Sequence, residues 1–314
     1  MKKIAFLFPG QGSQYPFMGK ELYDNFIEIR EIYDRADEIL GFSLKDIVFN
    51  EDKKELDKTE NTQPAMFLLS YSITKLLDKY NISPCAAAGL SLGEYGALAV
   101  GKSIRFQEAL PLLRKRGRFM QEAVPKGIGT MAAIIGLSNE KLQEVLNEAS
   151  NYGIVEGANY NCPNQIVIGG GIKAVEKACD LAKEAGAIKT IILNVSAPFH
   201  TSMLKPAGDR LYDELLKIDI KKPDIKIATN VTGKYLEEED IRINLKNQVS
   251  NPVYFEENIK TMINDGVDTF IEVGPSKVLS GFVKRIDRKL NIYNIEDLAS
   301  LEKTIEKLNG GNGC

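Results

Sequence analysis

Short apolar runs and longer amphipathic segments alternate along the chain, and this alternation predicts a layered α/β protein. The apolar runs predict strands at residues 4–8, 85–88, 225–228 and 269–273. Apolar positions that recur every three or four residues predict helices at residues 22–40, 65–80, 106–123 and 201–217. Between them, residues 44–60 are polar and predicted to be poor in helix. Pro64 is predicted to lie in the first turn of the helix that follows.

Residues 129–196 form a separate pattern of shorter elements. Strands are predicted at residues 130–135, 154–161, 165–169 and 188–195, and helices at residues 139–149 and 173–185. This β-α-β-β-α-β order is the split βαβ arrangement of a ferredoxin-like module. We therefore divide the chain into a discontinuous core at residues 1–125 and 197–305 and an inserted ferredoxin-like subdomain at residues 126–196. Residues 306–314 are predicted to be a disordered tail, since their glycine-rich end cannot form a core.

Charge and hydropathy exclude several classes of partner. Forty basic and 43 acidic residues in a chain of 314 give a formal net charge of −3, so no bulk field attracts nucleic acid or an anionic membrane. No apolar run approaches the length of a membrane span. The apolar start of the chain is broken by Pro9 and Gly10 too early for a signal peptide. We expect no nucleic-acid or membrane partner.

The cysteines and the histidine limit the possible chemistry further. The chain has four cysteines, at Cys85, Cys162, Cys179 and Cys314. They are scattered without a C-x-x-C pair, as expected of reduced thiols in the cytoplasm. His200 is the one histidine, which argues against a metal site built on imidazoles. It also means that any imidazole base must be His200.

The sequence Gly89-Leu90-Ser91-Leu92-Gly93 lies between the predicted strand at residues 85–88 and a predicted helix at residues 94–100. Strand, Gly-x-Ser-x-Gly and helix is the arrangement of a nucleophile elbow. Glycines permit the sharp turn because the two backbones approach too closely for side chains. Ser91 would then lie at a helix N-terminus, where free N–H groups favour developing negative charge. The alternative is a serine that only caps the helix or forms the turn.

His200 is the candidate base for Ser91. It follows an Ala-Pro-Phe turn and precedes the helix predicted at residues 201–217. At a helix N-terminus the charged imidazolium is disfavoured, which keeps the ring available as a base. The alternative is that this histidine is only a surface or core residue, without a catalytic role.

Arg116 is the cation placed on the apolar face of the helix predicted at residues 106–123, with Ala109, Leu112, Leu113 and Met120. Arg114, Lys115 and Arg118 point elsewhere. An internal carboxylate partner is one explanation of such an arginine. The other is a cation held for a substrate carboxylate, which the planar guanidinium fork suits.

Gln11 lies in the glycine-rich sequence that ends the first predicted strand. Backbone N–H groups at such a strand end can point at a ligand. The spacing is not that of a P-loop, so nucleotide binding is disfavoured. A plain turn is the alternative.

Several motifs occur together in register: Phe8-Pro9-Gly10-Gln11-Gly12-Ser13-Gln14, the Gly-x-Ser-x-Gly-Glu-Tyr elbow, Arg116-Gly117-Arg118-Phe119-Met120-Gln121, Pro198-Phe199-His200, Asn251-Pro252-Val253 and Glu272-Val273-Gly274-Pro275. With this set, residues 3–287 resemble the malonyl-CoA–acyl carrier protein transacylases of bacterial type II fatty acid synthesis. They are also similar to the acyltransferase domains of polyketide synthases.

The resemblance implies an α/β-hydrolase-like core with a parallel sheet and a ferredoxin-like lid. It implies Ser91 as nucleophile, His200 as base, and the main-chain carbonyl of Gln248 as the group that orients the histidine. Backbone N–H groups of Gln11 and Leu92 would form the oxyanion hole, and Arg116 would bind the malonyl carboxylate. Leu90 stands where the family commonly has histidine, which removes a second imidazole and leaves the nucleophile intact.

The resemblance also implies the reaction. A malonyl group would move from malonyl-CoA to Ser91 and then to the phosphopantetheine thiol of acyl carrier protein, without a metal or nucleotide cofactor. We expect a cytoplasmic monomer. A serine thioesterase or hydrolase, a polyketide-type acyltransferase with another acyl group, and a non-catalytic binding module remain open. A thioesterase would not need a buried Arg116, and a binding module would not need both Ser91 and His200.

Overall fold

Two β-sheets organise the chain, and the computed structural model describes residues 2–195, 197–237 and 240–309. The strands are β1 (Ile4–Phe8), β2 (Ala86–Gly89), β3 (Gly129–Ile135), β4 (Val155–Cys162), β5 (Gln165–Gly171), β6 (Lys189–Ile192), β7 (Lys226–Ala228), β8 (Thr269–Val273) and β9 (Asn291–Ile295). The helices are α1 (Lys20–Asn25), α2 (Ile27–Leu40), α3 (Leu44–Val48), α4 (Thr59–Lys79), α5 (Gly93–Val100), α6 (Phe106–Glu122), α7 (Asn139–Ala149), α8 (Ile172–Glu184), α9 (Lys205–Leu215), α10 (Ile241–Gln248), α11 (Phe255–Asn264), α12 (Val278–Ile286) and α13 (Leu298–Asn309). Short 3₁₀ turns cover Ser150–Tyr152 and Ser202–Leu204.

The larger sheet is parallel and has the strand order β7-β2-β1-β8-β9. Its central strands are buried between helices, as their continuous apolar sequences require. In such a sheet the carboxyl ends of the strands meet at one edge, where ligands bind. Phe8 pairs with Gly89 at that edge. The loop after β1, which contains Gln11, therefore lies beside the elbow after β2, which contains Ser91.

The smaller sheet is antiparallel and has the order β4-β5-β3-β6, with α7 and α8 as its two crossing helices. This is the predicted ferredoxin-like arrangement. Its two faces alternate along β3, as the two-residue period of a strand demands. Ala132 and Ile134 pack in a core shared with α7 and α8, whereas Met131 and Ala133 join the main core. The predicted fold class, an α/β core with a parallel sheet and a ferredoxin-like insertion, is confirmed.

The helix predicted at residues 22–40 is instead two helices, α1 and α2. Phe26 between them has extended backbone angles, φ −123° and ψ 119°. Asn25 donates from Nδ2 to the Glu21 carbonyl at 2.8 Å and so competes with the continuing helix. The prediction that residues 44–60 lack helix also missed α3. Ser43 caps α3 by accepting from the Asp46 N–H.

Two helix starts were predicted wrongly. The helix at Pro64 begins earlier, at Thr59, because Asn61 and Thr62 side chains donate to the Glu55 and Leu56 carbonyls and anchor an extra turn. Pro64 therefore lies inside α4 rather than in its first turn. The helix predicted from residue 201 begins at Lys205 as α9. A proline favours the first turn of a helix because it has no N–H to leave unpaired, and Pro206 lies in the first turn of α9.

The predicted tail was also too long. α13 continues through residues 306–309, because Ile305 and Leu308 lie on its apolar face and pack against the main core. Residues 310–314 lie outside the described residues. None of the helices in the described part of the chain is long and apolar enough to cross a membrane.

Candidate active site

The elbow between β2 and α5 holds Ser91 at a positive φ of 54°, a conformation that a non-glycine residue adopts only when its surroundings enforce it. A Cβ at Gly89 would lie 1.9 Å from the Gly93 carbonyl carbon, and one at Gly93 would lie 2.1 Å from the Phe8 oxygen. Glycine is therefore required at both positions. Asn230 Oδ1 accepts from the Ser91 N–H at 2.8 Å and helps to hold the turn.

Ser91 and His200 form a hydrogen-bonded pair. Ser91 Oγ lies 2.7 Å from His200 Nε2, and His200 Nδ1 lies 2.8 Å from the Gln248 carbonyl oxygen. A carbonyl oxygen can only accept, so Nδ1 carries the proton and Nε2 presents its lone pair to the serine hydroxyl. This is the arrangement of a nucleophile, a base and an orienting group.

The turn that presents His200 is held from both sides. His200 itself has a φ of 61°. Thr201 donates from Oγ1 to the Pro198 carbonyl at 2.7 Å, and Ser202 donates from its N–H and its hydroxyl to the Glu156 carboxylate, each at 2.7 Å. Because Glu156 belongs to β4, the smaller sheet fixes the position of the histidine.

Burial, and to a lesser extent the nearby Arg116 charge, lowers the pKa of His200 from 6.5 to about 4. The ring is 3% exposed. The charged imidazolium is therefore disfavoured by burial, and not by a helix N-terminus as the sequence predicted. The first 3₁₀ residue is Ser202, and α9 starts only at Lys205. The imidazole is neutral at physiological pH and available as a base.

Arg116 is 1% exposed and points from α6 at the serine. Its Nη1 donates to Gln63 Oε1 at 2.8 Å, and its Nη2 donates to Gln248 Oε1 at 3.0 Å and to Ser91 Oγ at 3.2 Å. Its buried Nε has no partner among the described residues. Burial lowers the pKa of Arg116, yet a guanidinium stays charged in proteins.

The internal ion pair that could have explained Arg116 is absent from the described residues, because none of their carboxylates forms a salt bridge with it within 4.0 Å. Its hydrogen-bond partners are two neutral amides and a hydroxyl, and its Cζ lies 5.6 Å from the centre of the Tyr95 ring. A buried charge without a direct counter-ion is costly. Such an arrangement is typical of a site in which the counter-ion arrives with a ligand.

The backbone N–H groups of Gln11 and Leu92 lie at the adjacent ends of β1 and the elbow. The Leu90 N–H donates to the Phe8 carbonyl at 2.9 Å and ties the two turns together. Within the described part of the chain, neither the Gln11 nor the Leu92 backbone N–H donates to another group. Both residues line the same cavity as Ser91 and His200, which is compatible with the predicted oxyanion hole.

The cavity in front of Ser91 has a volume of about 310 Å³. Its apolar wall comes largely from the smaller sheet and the segment after it, through Met131, Ala133, Val167, Leu193, Val195 and Phe199. Asn159, Asn161 and Gln165 add polar groups. The hairpin between β4 and β5 therefore both connects two strands and forms an edge of the cleft.

A buried polar network beneath Ser91 was missed by the sequence analysis. The carboxylate of Glu94 accepts from Gln248 Nε2 at 2.9 Å, from the Asn230 N–H at 2.9 Å and from Asn244 Nδ2 at 2.6 Å. Gln63 was also missed. Glu94 did have a signal, since it is the single charged residue of the apolar helix α5. Gln63, Asn230 and Asn244 had none, because their roles depend on contacts between distant segments.

The six predicted site residues, Gln11, Ser91, Leu92, Arg116, His200 and Gln248, thus meet at the cavity or contact its lining. Their chemical roles remain predictions. Across the described ranges, no cluster of three or more His, Cys, Asp or Glu side chains could hold a metal ion. Cys85 is exposed, and Cys162 and Cys179 are buried.

Comparison with known proteins gives consistent matches over nearly the whole chain. Residues 5–307 match the family described as acyl transferase domain. The malonyl CoA-acyl carrier protein transacylase of Bacillus subtilis is 45% identical over 314 residues, which cover 99% of each chain. The crystal structure of the protein of that name from Clostridium perfringens is 49% identical, with a TM-score of 0.96 and 98% of each chain covered. A malonyl-transacylase solved with its type II PKS acyl-carrier protein is 38% identical, with a TM-score of 0.94, covering 98% of this chain and 100% of that one.

Proposed function

Because the chain belongs to the acyl transferase domain family, we propose that it is a malonyl-CoA:acyl carrier protein S-malonyltransferase of fatty acid biosynthesis. One observation supports this more than any other. A single serine hydroxyl lies 2.7 Å from a neutral imidazole and 3.2 Å from a buried guanidinium. A nucleophile beside a fixed positive charge suits a thioester whose acyl group carries a carboxylate.

In the first half-reaction, Ser91 Oγ bonds to the thioester carbonyl carbon of malonyl-CoA while His200 Nε2 takes the hydroxyl proton. The Gln248 carbonyl, which accepts from Nδ1–H, stabilises the imidazolium that forms. The carbonyl oxygen becomes an oxyanion and accepts from the Gln11 and Leu92 N–H groups. When the C–S bond breaks, the departing CoA thiolate takes the proton from His200, and the malonyl group remains on Ser91 as an ester.

In the second half-reaction, the phosphopantetheine thiol of acyl carrier protein gives its proton to His200 and attacks the ester carbonyl. The C–O bond to Ser91 then breaks, and Ser91 Oγ takes the proton back. Neither half needs a metal or nucleotide cofactor. Because burial lowers its pKa, the imidazole is unprotonated at neutral pH and can accept the proton in each half-reaction.

Arg116 binds the malonyl carboxylate in both half-reactions. Its fork can meet both carboxylate oxygens at once. Its present partners are the neutral Gln63 and Gln248 amides and the Ser91 hydroxyl, and its Nε is buried without a partner in the described chain. A thioesterase or hydrolase acting on neutral acyl groups would have no use for this charge.

The remaining features of the proposal follow from the division of the chain. The core of residues 1–125 and 197–305 supplies the serine, the histidine and the arginine. The ferredoxin-like subdomain of residues 126–196 covers the cavity and fixes the histidine turn through Glu156. We place the enzyme in the cytoplasm as a monomer that binds malonyl-CoA and acyl carrier protein in turn.

The proposal is tested by the site of acylation. Incubation with malonyl-CoA should add one malonyl group to the peptide that contains Ser91, detected by mass spectrometry. Ser91→Ala should abolish the adduct and leave the thermal unfolding midpoint near that of the parent protein. An adduct that survives in Ser91→Ala, for example on the exposed Cys85, would refute the assignment.

A further inference from the structure

The side chain of Gln248 lies between two buried charges. Its Oε1 accepts from Arg116 Nη2 at 3.0 Å, and its Nε2 donates to Glu94 Oε2 at 2.9 Å. Arg116 is 1% exposed, and Glu94 and Gln248 are fully buried. One amide group therefore connects the proposed malonyl-binding cation to a carboxylate on the elbow helix α5.

The groups around Glu94 are matched to an ionised carboxylate. The three groups that contact its oxygens, Gln248 Nε2, the Asn230 N–H and Asn244 Nδ2, are all donors. A carboxylate accepts at both oxygens and satisfies them together. Burial raises the pKa of Glu94, whereas these donors and the Arg116 charge oppose that rise.

Acceptors on one side orient the Gln248 amide. Its Nε2 donates to Glu94 Oε2 at 2.9 Å, to the Ser91 carbonyl at 3.0 Å and to Asn230 Oδ1 at 3.2 Å, and the Glu94 carboxylate is the charged acceptor among them. An amide has a donor end and an acceptor end, and only its nitrogen can face Glu94. The oxygen must then face Arg116, which has donors alone. If the amide turned over, its NH₂ group would face the guanidinium and leave buried donors unpaired, which is unfavourable.

We infer that Glu94 is a positioning residue for Arg116, and that it acts through the side-chain amide of Gln248. The inference rests on the proposed function, since it gives Arg116 the malonyl carboxylate as its ligand. A carboxylate in direct contact with Arg116 would compete with that ligand for the guanidinium. Placed one amide away, Glu94 provides a balancing charge and an orientation while the fork remains available to the substrate.

Two single variants and their combination test this inference. Glu94→Gln removes the charge and replaces one carboxylate oxygen with an NH₂ group, so the Gln248 amide nitrogen loses its charged acceptor. Gln248→Met removes the amide and keeps the main-chain carbonyl that binds His200. Each should lower the ratio of kcat/KM for malonyl-CoA to that for acetyl-CoA by about tenfold to a hundredfold, as expected for a lost hydrogen bond to a charged group.

The double variant should lower that ratio no further than the larger single effect, because both changes interrupt one connection. The matched control is Glu272→Gln. Glu272 is another buried carboxylate, 1% exposed, which accepts from the Leu279 and Ser280 N–H groups. Its replacement can lower the unfolding temperature but should leave the ratio unchanged.

The inference would be overturned if the malonyl-CoA to acetyl-CoA ratio of either folded single variant stayed within about threefold of the parent value. It would also be overturned if the loss in the double variant equalled the product of the two single losses. If Glu94→Gln does not fold, Gln248→Met decides the question alone. The parent protein is measured first. Failure of its malonyl transfer would refute the proposed function, whereas transfer with unchanged ratios in the variants would refute only the role of Glu94.

Discussion

Replacement of Arg116 should change which acyl group the enzyme accepts. The guanidinium is 1% exposed, lies 3.2 Å from the Ser91 hydroxyl, and is bound by two neutral glutamines. Malonyl-CoA brings a carboxylate into this site, whereas acetyl-CoA does not. Arg116→Ala should therefore penalise the first substrate far more than the second.

The size of the effect follows from the burial of the pair. Truncation of one partner of a buried, hydrogen-bonded charge pair costs about 2–5 kcal/mol. At about 1.36 kcal/mol for each factor of ten, kcat/KM for malonyl-CoA should fall by roughly 30-fold to several thousand-fold. The value for acetyl-CoA should change little or rise. Arg116→Lys should lie between these limits, because it keeps a charge but loses the planar fork.

The assay is the ratio of kcat/KM for malonyl-CoA to that for acetyl-CoA in the parent, Arg116→Ala and Arg116→Lys proteins. Arg118→Ala is the matched control, since Arg118 follows on the same helix with its side chain 52% exposed. The ratio in that variant should equal the parent ratio. Equal losses on both substrates in Arg116→Ala would show that Arg116 only supports the fold, and the hydrolase alternative would gain support.

The remaining predictions concern His200 and the elbow. Because the pKa of His200 falls from 6.5 in a model peptide to about 4 in the folded protein, the unfolded chain binds this proton first. The free energy of unfolding should therefore fall by about 3 kcal/mol as the pH is lowered from 6.5 toward 4. Denaturant unfolding of His200→Gln should lack this part of the pH dependence. If the variant showed the same dependence on pH as the parent protein, the assigned burial of His200 would be contradicted. Gly93→Ala should lower the free energy of unfolding by about 1–3 kcal/mol or more, because its Cβ would lie 2.1 Å from the Phe8 oxygen. Gly281→Ala on α12 is the control, since no atom lies within 4 Å of the added Cβ, and equal midpoints for the two variants would count against the proposed packing at the elbow.

The sequence predicted those features that local patterns determine. The strand–glycine–serine–glycine–helix order located the elbow, because its tight turn needs glycine at two positions close in sequence. The helical period placed Arg116 on an apolar face, and the structure buries it there. The alternation of short strands and helices in residues 129–196 predicted the ferredoxin-like order, since each strand and helix there has its own local hydrophobic period.

Features that depend on distant segments could not be predicted from such patterns. Asn230 accepts a hydrogen bond from the Ser91 N–H although the two residues are 139 positions apart in the sequence. Gln63 accepts one from Arg116 across 53 positions. The main-chain role of Gln248 came from the family resemblance, and its side-chain contacts had no signal at all. The break at Phe26 depends on a side-chain bond that competes with the helix, which propensity does not detect.

The most direct test of the proposed transfer is a single-turnover chase of the acyl-enzyme. The protein is loaded with labelled malonyl-CoA, freed of excess substrate, and mixed with acyl carrier protein that bears its phosphopantetheine thiol or with buffer alone. We predict that the label leaves the Ser91 peptide and appears on the carrier thiol far faster than it is released into buffer, and that apo carrier protein does not accept it. Release of free malonate at the same rate with or without the carrier thiol would contradict the account and identify a hydrolase.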